Sequence, residues 1–280
     1  MKILLADHFG MCFGVRDAIA QAEQLAAAAP LTILGQLVHN PLVRDRLRRR
    51  GVRESSLDGT MNGISRAVMI TAHGASDLRR NAWKNGGHTM ADGTCPLVRH
   101  AHMRLRELVA ARYFPVVIGQ PGHVEVRGLT EDFPGAVVLE KPEDVLSLPC
   151  AAAYGVISQT TQPIDHVLRL VAEIRRSHPK SAVRFADTVC KPTKDRQRAL
   201  ARLIAEAEVI VVVGGLTSNN TLQLVATCRA AGRRAIHIER PQELRPADFL
   251  GLEVVGLTAG TSTLPETVEA VRTRLREFAA

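Results

Sequence analysis

Residues 88–113 read HTMADGTCPLVRHAHMRLRELVAARY and show most clearly how this chain is organised. A short extended segment ends at Asp92 and Gly93, Cys95 follows, and Pro96 stands where proline is favoured at the start of a helix. The residues after Pro96 carry apolar side chains at helical spacing. The stretch therefore predicts a strand, a turn that holds a cysteine, and a helix.

The same order of elements occurs twice more in the chain. Residues 2–29 read KILLADHFGMCFGVRDAIAQAEQLAAAA, and residues 183–207 read VRFADTVCKPTKDRQRALARLIAEA. In both stretches an apolar extended segment precedes a cysteine, Cys12 or Cys190, and a helical pattern follows it. Cys95 lies 83 residues after Cys12, and Cys190 lies 95 residues after Cys95. This spacing predicts a threefold internal repeat.

Polar residues recur at matched positions in the repeats. A shift of 95 residues carries FPVVIGQPGHVEV (114–126) onto VIVVVGGLTSNNT (209–221), which pairs His123 with Ser218. His39 lies 27 residues after its cysteine, and His123 and Ser218 lie 28 residues after theirs. A later strand in each repeat ends in a second polar group, which comprises His73 in the first, Gln159, Thr160 and Thr161 in the second, and Thr261 and Ser262 in the third.

Strands and helices alternate through all three repeats. This order predicts an α/β fold of three small pseudo-symmetric units with mostly parallel sheets, at residues 1–95, 96–190 and 191–280. Ligands of parallel α/β sheets bind beyond the carboxyl ends of the strands. Because the cysteines and the polar groups all follow apolar runs, we expect them to converge on one central cavity.

The composition excludes several classes of protein. The 280 residues are 46% hydrophobic and 23% charged, which is typical of a globular protein of two or three domains. Aromatic residues make up only 4%, too few for the stacking platforms that bind single-stranded nucleic acid. No apolar run reaches the roughly 18 residues of a membrane span, and the apolar stretch before Asp7 is too short for a signal peptide. We expect a cytoplasmic protein with no nucleic-acid or membrane partner.

The chain carries a basic excess. Its net charge of +8 favours an anionic partner, such as a phosphorylated substrate or an acidic protein. The densest basic segment comprises Arg44, Arg46, Arg48, Arg49, Arg50 and Arg53. Runs of this kind are most often a solvated face, so the segment is only weak evidence for a partner.

The five cysteines do not form a disulfide or zinc-ribbon pattern, because their number is odd and no CxxC pair exists. A cysteine at a helix N-terminus favours the thiolate. Three such thiolates, from Cys12, Cys95 and Cys190, indicate either an iron–sulfur cluster or a zinc ion completed by a nearby histidine. Cys150 and Cys228 lie outside the repeat positions, and we expect a free thiol and a core side chain respectively.

Donors suited to an anion accompany the predicted metal site. They are His39, His73, His123, Ser218, Asn220 and Ser262, and such a set fits a diphosphate. Glu125 is the one carboxylate of the GQPGHVEV loop, and burial beside an anion should raise its pKa enough for proton donation near neutral pH. Thr160 is placed to align a reacting hydroxyl group.

In order and spacing these motifs resemble 4-hydroxy-3-methylbut-2-enyl diphosphate reductase, the last enzyme of the non-mevalonate isoprenoid pathway. The motifs that carry the resemblance span essentially the whole chain: KILLADHFGMCFGV (2–15), VHN (38–40), AHG (72–74), DGTCPLV (92–98), GHVEV (122–126), QTT (159–161), RQ (196–197) after Cys190, VVGGLTSNN (212–220) and TAGTS (258–262).

The resemblance implies a threefold α/β fold around a 4Fe–4S cluster bound by Cys12, Cys95 and Cys190. It implies that the allylic hydroxyl of the substrate leaves as water, with two electrons and two protons, to give isopentenyl and dimethylallyl diphosphate. The electrons would come from an acidic donor such as ferredoxin or flavodoxin. Glu125 would relay protons together with His123, and Thr160 would orient the hydroxyl. The substrate-binding residues would be His39, His73, His123, Thr160, Ser218, Asn219, Asn220 and Ser262.

The sequence departs from the family pattern at four places. HFGMCFGV (8–15) stands where the family usually has PRGFCAGV, and Val124 replaces the proline of an HPE motif. Lys191 and Pro192 replace a tyrosine and an alanine after Cys190, and Asn219 replaces the second serine of a Ser-Ser-Asn stretch. These departures leave two other interpretations open: a divergent paralogue that reduces a different allylic diphosphate, and a non-catalytic protein that binds a phosphorylated metabolite.

Overall fold

The computed structural model describes residues 1–279, in which strands and helices alternate along the chain. The strands are β1 (Lys2–Leu5), β2 (Leu31–Leu34), β3 (Arg53–Ser55), β4 (Ala67–Ile70), β5 (Thr89–Asp92), β6 (Phe114–Ile118), β7 (Val137–Leu139), β8 (Ala153–Ser158), β9 (Ala182–Phe185), β10 (Val209–Val213), β11 (Arg234–Ile238) and β12 (Val254–Ala259). The helices are α1 (Phe13–Ala28), α2 (Pro41–Arg49), α3 (Asp77–Asn85), α4 (Pro96–Ala110), α5 (Val124–Thr130), α6 (Ile164–Ser177), α7 (Lys191–Glu206), α8 (Asn219–Ala230) and α9 (Pro265–Ala279).

The strands of the described chain form three parallel sheets of four strands each. Sheet A has the order β11-β10-β12-β1, sheet B the order β3-β2-β4-β5, and sheet C the order β7-β6-β8-β9. Numbered in chain order within each sheet, sheets B and C follow the order 2-1-3-4, and sheet A follows the same order when β1 is counted as its last strand. The predicted α/β class with parallel sheets is confirmed.

Strand β1 takes the fourth place of sheet A, although the predicted limits group residues 2–5 with the first unit. Its residues pair in register with β12, Lys2 opposite Val254 and Leu5 opposite Leu257. In every sheet the fourth strand is the one that leads into a cysteine, and in sheet A this strand is β1. The unit limits at residues 95 and 190 stay a prediction about domains.

The two middle strands of each sheet carry the most continuous apolar runs. Strand β10, with the sequence VIVVV, is buried along its whole length. Parallel strands covered on both faces require such runs because neither face meets water. The edge strands β1, β5 and β9 are shorter or more exposed, with burial that varies along each strand.

Contacts divide the chain into two compact units. Unit 1 comprises Met1–Val15, His39–Val43 and the chain from Lys191 onwards, and it contains sheet A. Successive residues of β10 point to opposite faces of this sheet. Val211 and Val213 therefore join a cluster that includes α9, and Ile210 and Val212 join a cluster that includes α7 and α8.

Unit 2 comprises Arg16–Val38 and Arg44–Cys190, and it contains sheets B and C. The end of α5 holds the start of α3, because the Asp132 carboxylate accepts hydrogen bonds from the backbone N–H groups of Asp77 and Leu78, at 2.8 and 3.0 Å. The Ser76 hydroxyl also donates to Glu131 at 2.7 Å. These bonds fix the helix that follows β4 against the helix that follows β6. Among the described residues, no helix combines the length and the apolar character that crossing a membrane requires.

We predict that Leu257→Ala lowers the free energy of unfolding by about 2–5 kcal/mol, because it empties a fully buried site in the third strand of sheet A. Leu250→Ala is the control, since Leu250 is 79% exposed and its truncation should change stability little. Chemical denaturation of both variants measures the difference. Equal midpoints for the two variants would contradict the assigned core.

Candidate functional site

Each of the three cysteines predicted as metal ligands occupies the same place in its sheet. Each cysteine follows the fourth strand of its sheet, which is β1, β5 or β9. Its backbone N–H donates to a carbonyl group that lies two residues after the end of the third strand, which is β12, β4 or β8. The bonds run from Cys12 to Thr261 at 3.1 Å, from Cys95 to Ala72 at 3.0 Å, and from Cys190 to Thr160 at 3.0 Å. The threefold repeat inferred from spacing is thus reproduced in backbone hydrogen bonds.

A helix begins at the residue after each of these cysteines: α1 after Cys12, α4 after Cys95 and α7 after Cys190. Each of these cysteines therefore directly precedes the backbone N–H groups with which a helix opens. All three are half-buried, so the protein holds them without closing them off. Cys228 differs, because burial raises the pKa of its thiol to about 11, and Cys150 is exposed.

Two histidines of unit 2 lie in loops that follow strands, His73 after β4 and His123 after β6. His73 lies one residue past Ala72, the acceptor of the Cys95 bond, and His123 precedes the first residue of α5. The two imidazole rings meet edge to face, with centroids 5.6 Å apart. The Nδ1 atom of His123 accepts the backbone N–H of Glu125 at 3.1 Å. A neutral His123 ring therefore carries its proton on Nε2.

Glu125 is 2% exposed, and Thr160 binds its carboxylate. Its carboxylate accepts the backbone N–H of Thr160 at 2.6 Å and the Thr160 hydroxyl at 3.1 Å. Burial raises the pKa of Glu125 to about 7, against the opposing effect of these two hydrogen bonds. The raised pKa expected from the sequence is present, and it places a titrating carboxyl group beside a hydroxyl group.

These contacts connect the site residues of unit 2 in one continuous series. They lead from Cys95 through Ala72 to His73, across the ring contact to His123, along the helix start to Glu125, and through Thr160 to Cys190. The first part of this series, from Cys95 to His73, follows strands of sheet B. The second part, from His123 to Cys190, follows strands of sheet C.

Unit 1 contains a corresponding network. The Asn220 side-chain oxygen accepts the backbone N–H of Thr261 at 3.0 Å, and Thr261 in turn accepts the Cys12 bond. This pair occupies the repeat positions of Glu125 and Thr160. The same backbone bond thus recurs with an amide in place of a carboxyl group, so of these two networks only the one at sheet C contains a titratable acceptor.

The donors predicted for a phosphate lie at the start of α8 and beside it. Ser218, Asn219 and Asn220 open this helix, where N–H groups and the helix dipole favour an anion. Their exposures are 4%, 6% and 4%, and Ser262 is also 4% exposed. Its hydroxyl faces the carbonyl oxygen of His39 at 3.4 Å.

Gly215 is required by this arrangement. A side-chain carbon at this position would overlap the carbonyl oxygen of His39. The segment carrying His39 can therefore pack against the loop between β10 and α8 only because no side chain intervenes.

Asn40 is a residue of this network that the sequence analysis did not assign to the site. Its Nδ2 donates to the carbonyl of Ser262 at 2.6 Å, while its Oδ1 accepts the backbone N–H of Leu42 at 2.9 Å. It thus caps α2 and fixes the Ser262 loop at once. An asparagine before Pro41 is a recognisable helix-start signal, but the long-range half of the contact has no local signature.

The structure thus places the predicted residues in two networks. Unit 1 contains Cys12, His39, Ser218, Asn219, Asn220 and Ser262, and unit 2 contains Cys95, His73, His123, Glu125, Thr160 and Cys190. Their convergence on one centre stays a prediction.

The fold and these residues define a class: a parallel α/β protein whose strand ends present three cysteines at helix starts together with donors for an anion. Residues 3–276 match the family described as LytB protein. The chain belongs to the LytB protein family, and the membership expected from its motifs is confirmed.

Similar proteins of known name support this assignment. The chain is 34% identical over 278 residues to the 4-hydroxy-3-methylbut-2-enyl diphosphate reductase of Anaeromyxobacter sp. (strain Fw109-5), covering 99% of this chain and 97% of that protein. It is 34% identical over 294 residues to the protein of the same name from Vibrio cholerae, covering 100% and 92%.

Solved structures show the same architecture. The E-1-hydroxy-2-methyl-but-2-enyl-4-diphosphate reductase of Plasmodium falciparum has a TM-score of 0.91, with 24% identity over 97% of this chain and 86% of that one. A structure described as (E)-4-hydroxy-3-methyl-but-2-enyl diphosphate reductase, the terminal enzyme of the non-mevalonate pathway, has a TM-score of 0.69 with 32% identity, covering 99% and 100%.

The Glu125 carboxyl group should give stability a pH dependence that Glu125→Gln removes. Because its pKa is about 7 in the folded protein and 4.5 in an unfolded chain, the folded state binds an extra proton between these values. The contribution of Glu125 to the free energy of unfolding therefore falls as pH rises from about 4.5 to 7. We expect the stability of Glu125→Gln relative to the unsubstituted protein to rise across this window, by an amount on the order of 1–3 kcal/mol.

Infrared spectroscopy gives a direct measurement of the same group. A carbonyl band of a protonated carboxylic acid, absent from Glu125→Gln, should titrate with a midpoint about pH 7. A midpoint near 4.5, or no such difference band, would show that Glu125 is solvated.

Proposed function

We propose that this chain catalyses the reductive removal of the allylic hydroxyl group of 4-hydroxy-3-methylbut-2-enyl diphosphate. The C–O bond breaks, a C–H bond forms, and water leaves, which requires two electrons and two protons. The products are isopentenyl and dimethylallyl diphosphate. Relatives of this name cover nearly the whole chain, and the candidate residues supply the groups that such a reaction requires.

The observation that carries the proposal is the equivalence of Cys12, Cys95 and Cys190. Three half-buried thiols, each before a helix start and each held by the same backbone bond, suit a 4Fe–4S cluster with three protein ligands. When bound, such a cluster would supply electrons. Its one iron without a protein ligand would act as a Lewis acid toward the hydroxyl oxygen of the substrate. A reducing compartment keeps such thiols available, so we place the protein in the cytoplasm.

In this proposal the diphosphate is bound by neutral donors. The start of α8 offers Ser218, Asn219 and Asn220, and His123 offers its Nε2 proton. His39, His73 and Ser262 complete the set. Hydrogen bonds to a charged phosphate contribute roughly 1.5–3 kcal/mol each. Several of them therefore bind the substrate strongly without a lysine or an arginine. The change from serine to Asn219 preserves a donor at that position.

Glu125 and Thr160 deliver a proton in this scheme. With a pKa of about 7, Glu125 is substantially protonated at neutral pH and can donate to the Thr160 hydroxyl, whose oxygen lies 3.1 Å from its carboxylate. The Thr160 hydroxyl can then donate to the substrate hydroxyl. Because the backbone N–H of Thr160 also binds Glu125, the donor and its relay stay aligned.

We predict that Glu125→Gln lowers kcat by roughly 100-fold or more while the Kd for the diphosphate substrate stays within a few-fold, because glutamine keeps the hydrogen bond from Thr160 but has no proton to give. Glu269→Gln is the control, since Glu269 is 59% exposed and should keep full activity. Anaerobic kinetics with reduced methyl viologen, together with substrate titration, provide both quantities. An unchanged kcat would remove Glu125 from the reaction.

The same assay separates the proposal from its alternatives. A protein that only binds a phosphorylated metabolite would take up the substrate without turnover, whichever reductant is present. A divergent paralogue would reduce a longer allylic alcohol diphosphate faster than the five-carbon one, so both substrates belong in the assay.

We predict that serine at Cys12, Cys95 or Cys190 abolishes retention of the cluster. Cys150→Ser should retain it, because Cys150 is exposed and lies outside the repeat positions. Iron and acid-labile sulfide per chain, measured after anaerobic purification, provide the comparison. Full iron and sulfide in any of the first three variants, or zinc in place of iron, would contradict the assigned ligands.

A further inference from the structure

A cleft of about 300 Å³ lies beside Cys12, wholly within unit 1. We call it the Cys12 cleft. Its walls come from the loop between β1 and α1 and from the first turns of α7. The lining residues are Asp7, His8, Phe9, Met11, Cys12, Phe13, Pro192, Asp195 and Arg196. One of the proposed cluster ligands is therefore part of the wall of a surface cleft.

Basic side chains surround this cleft on α7. Its two carboxylates are each paired with exposed bases: Asp7 with Arg202 at 2.6 Å, and Asp195 with Lys191 at 2.5 Å and with Arg198 at 3.6 Å. The three basic side chains are 81%, 75% and 72% exposed for Lys191, Arg198 and Arg202. Three bases against two acids leave a positive rim, and Arg196 in the wall adds to it.

Apolar and aromatic side chains also contribute to the lining of the cleft. Phe13 is 39% exposed, although a large hydrophobic side chain usually avoids water. Phe9 and Met11 lie with it in the lining. An exposed aromatic side chain within a charged rim is the composition of a protein-binding surface, where aromatic contacts supply affinity and the rim supplies orientation.

The other basic segment of the chain is partly neutralised. Arg44 binds Glu54, Arg46 and Arg50 bind Glu23, and Arg48 binds Asp45. These three carboxylates offset half of the charge of the six arginines in Arg44–Arg53, so the segment stays a second basic surface against which the cleft has to be tested. The Cys12 cleft differs from this segment because Cys12, a proposed cluster ligand, lies in its wall.

We propose that the Cys12 cleft, with the basic rim of Lys191, Arg198 and Arg202, is the docking surface for an acidic one-electron carrier protein. The inference rests on the proposed function. A carrier seated there lies beside a cluster ligand, and electron transfer is efficient only over short distances. The acidic face of the carrier complements the basic rim, and an apolar side chain of the carrier packs against Phe13.

The electron count fixes how this surface is used. Each turnover consumes two electrons, so two reduced carriers bind in succession and leave oxidised, while both protons come from solvent through the enzyme. Successive encounters favour a weak, electrostatically steered complex, since a tight one would slow the exchange of carriers.

The test compares two double charge reversals that change net charge equally. Arg198→Glu with Arg202→Glu alters the rim, and Arg48→Glu with Arg49→Glu alters the other basic segment. The probe is a plant-type [2Fe–2S] ferredoxin. At low ionic strength, calorimetry should show a Kd about tenfold or more weaker for the rim variant and nearly unchanged for the other. The difference should disappear at high salt.

Activity gives the second comparison. The rim variant should lose ferredoxin-driven turnover in the same proportion and keep turnover driven by reduced methyl viologen, which needs no protein surface. Equal effects of the two reversals on the Kd would overturn the docking surface and indicate general charge attraction. Absence of viologen-driven turnover in the unsubstituted protein would refute the proposed function instead, and the calorimetric comparison would still decide the docking surface.

Discussion

The parallel pairing of the fourth strand with the third in each sheet is the constraint on which the site depends. This pairing carries the chain from β1, β5 or β9 to the edge where the third strand also ends. There the backbone N–H of a cysteine meets the carbonyl of the loop that follows the third strand. One hydrogen bond therefore fixes both a thiol and the polar loop beside it, and the next residue begins a helix. Because the geometry is backbone geometry, it can repeat three times with different side chains.

Two of the three copies differ in the side chain that binds this loop. The loop after β8 holds Thr160, which binds Glu125, whereas the loop after β12 holds Thr261, which binds Asn220. Both contacts use the same backbone N–H, yet only Glu125 can titrate. Burial of this one carboxyl group raises its pKa to about 7, which distinguishes the copy that contains Glu125 from the copy that contains an amide.

Local features of the sequence predicted the parts of the fold that local physics determines. The cysteine turns were predictable because a short apolar strand, a turn and a proline at a helix start follow one another within a few residues, as around Cys95. The polar positions were predictable from the repeat offset. The partner of β1 was not, because a parallel edge strand has no turn that reveals its neighbour, and β12 lies about 250 residues away. The bond from Asn40 to Ser262, between residues 222 apart, was hidden for the same reason.

Mössbauer spectroscopy of protein reconstituted anaerobically with enriched iron, recorded with and without the diphosphate substrate, tests the proposed cluster most directly. Three cysteine ligands would leave one iron of a 4Fe–4S cluster without a protein thiolate. We expect the substrate to change the signal of one iron in four and to leave three unchanged. Four equivalent irons that do not respond to the substrate, or a protein that takes up no iron, would contradict the proposed cluster.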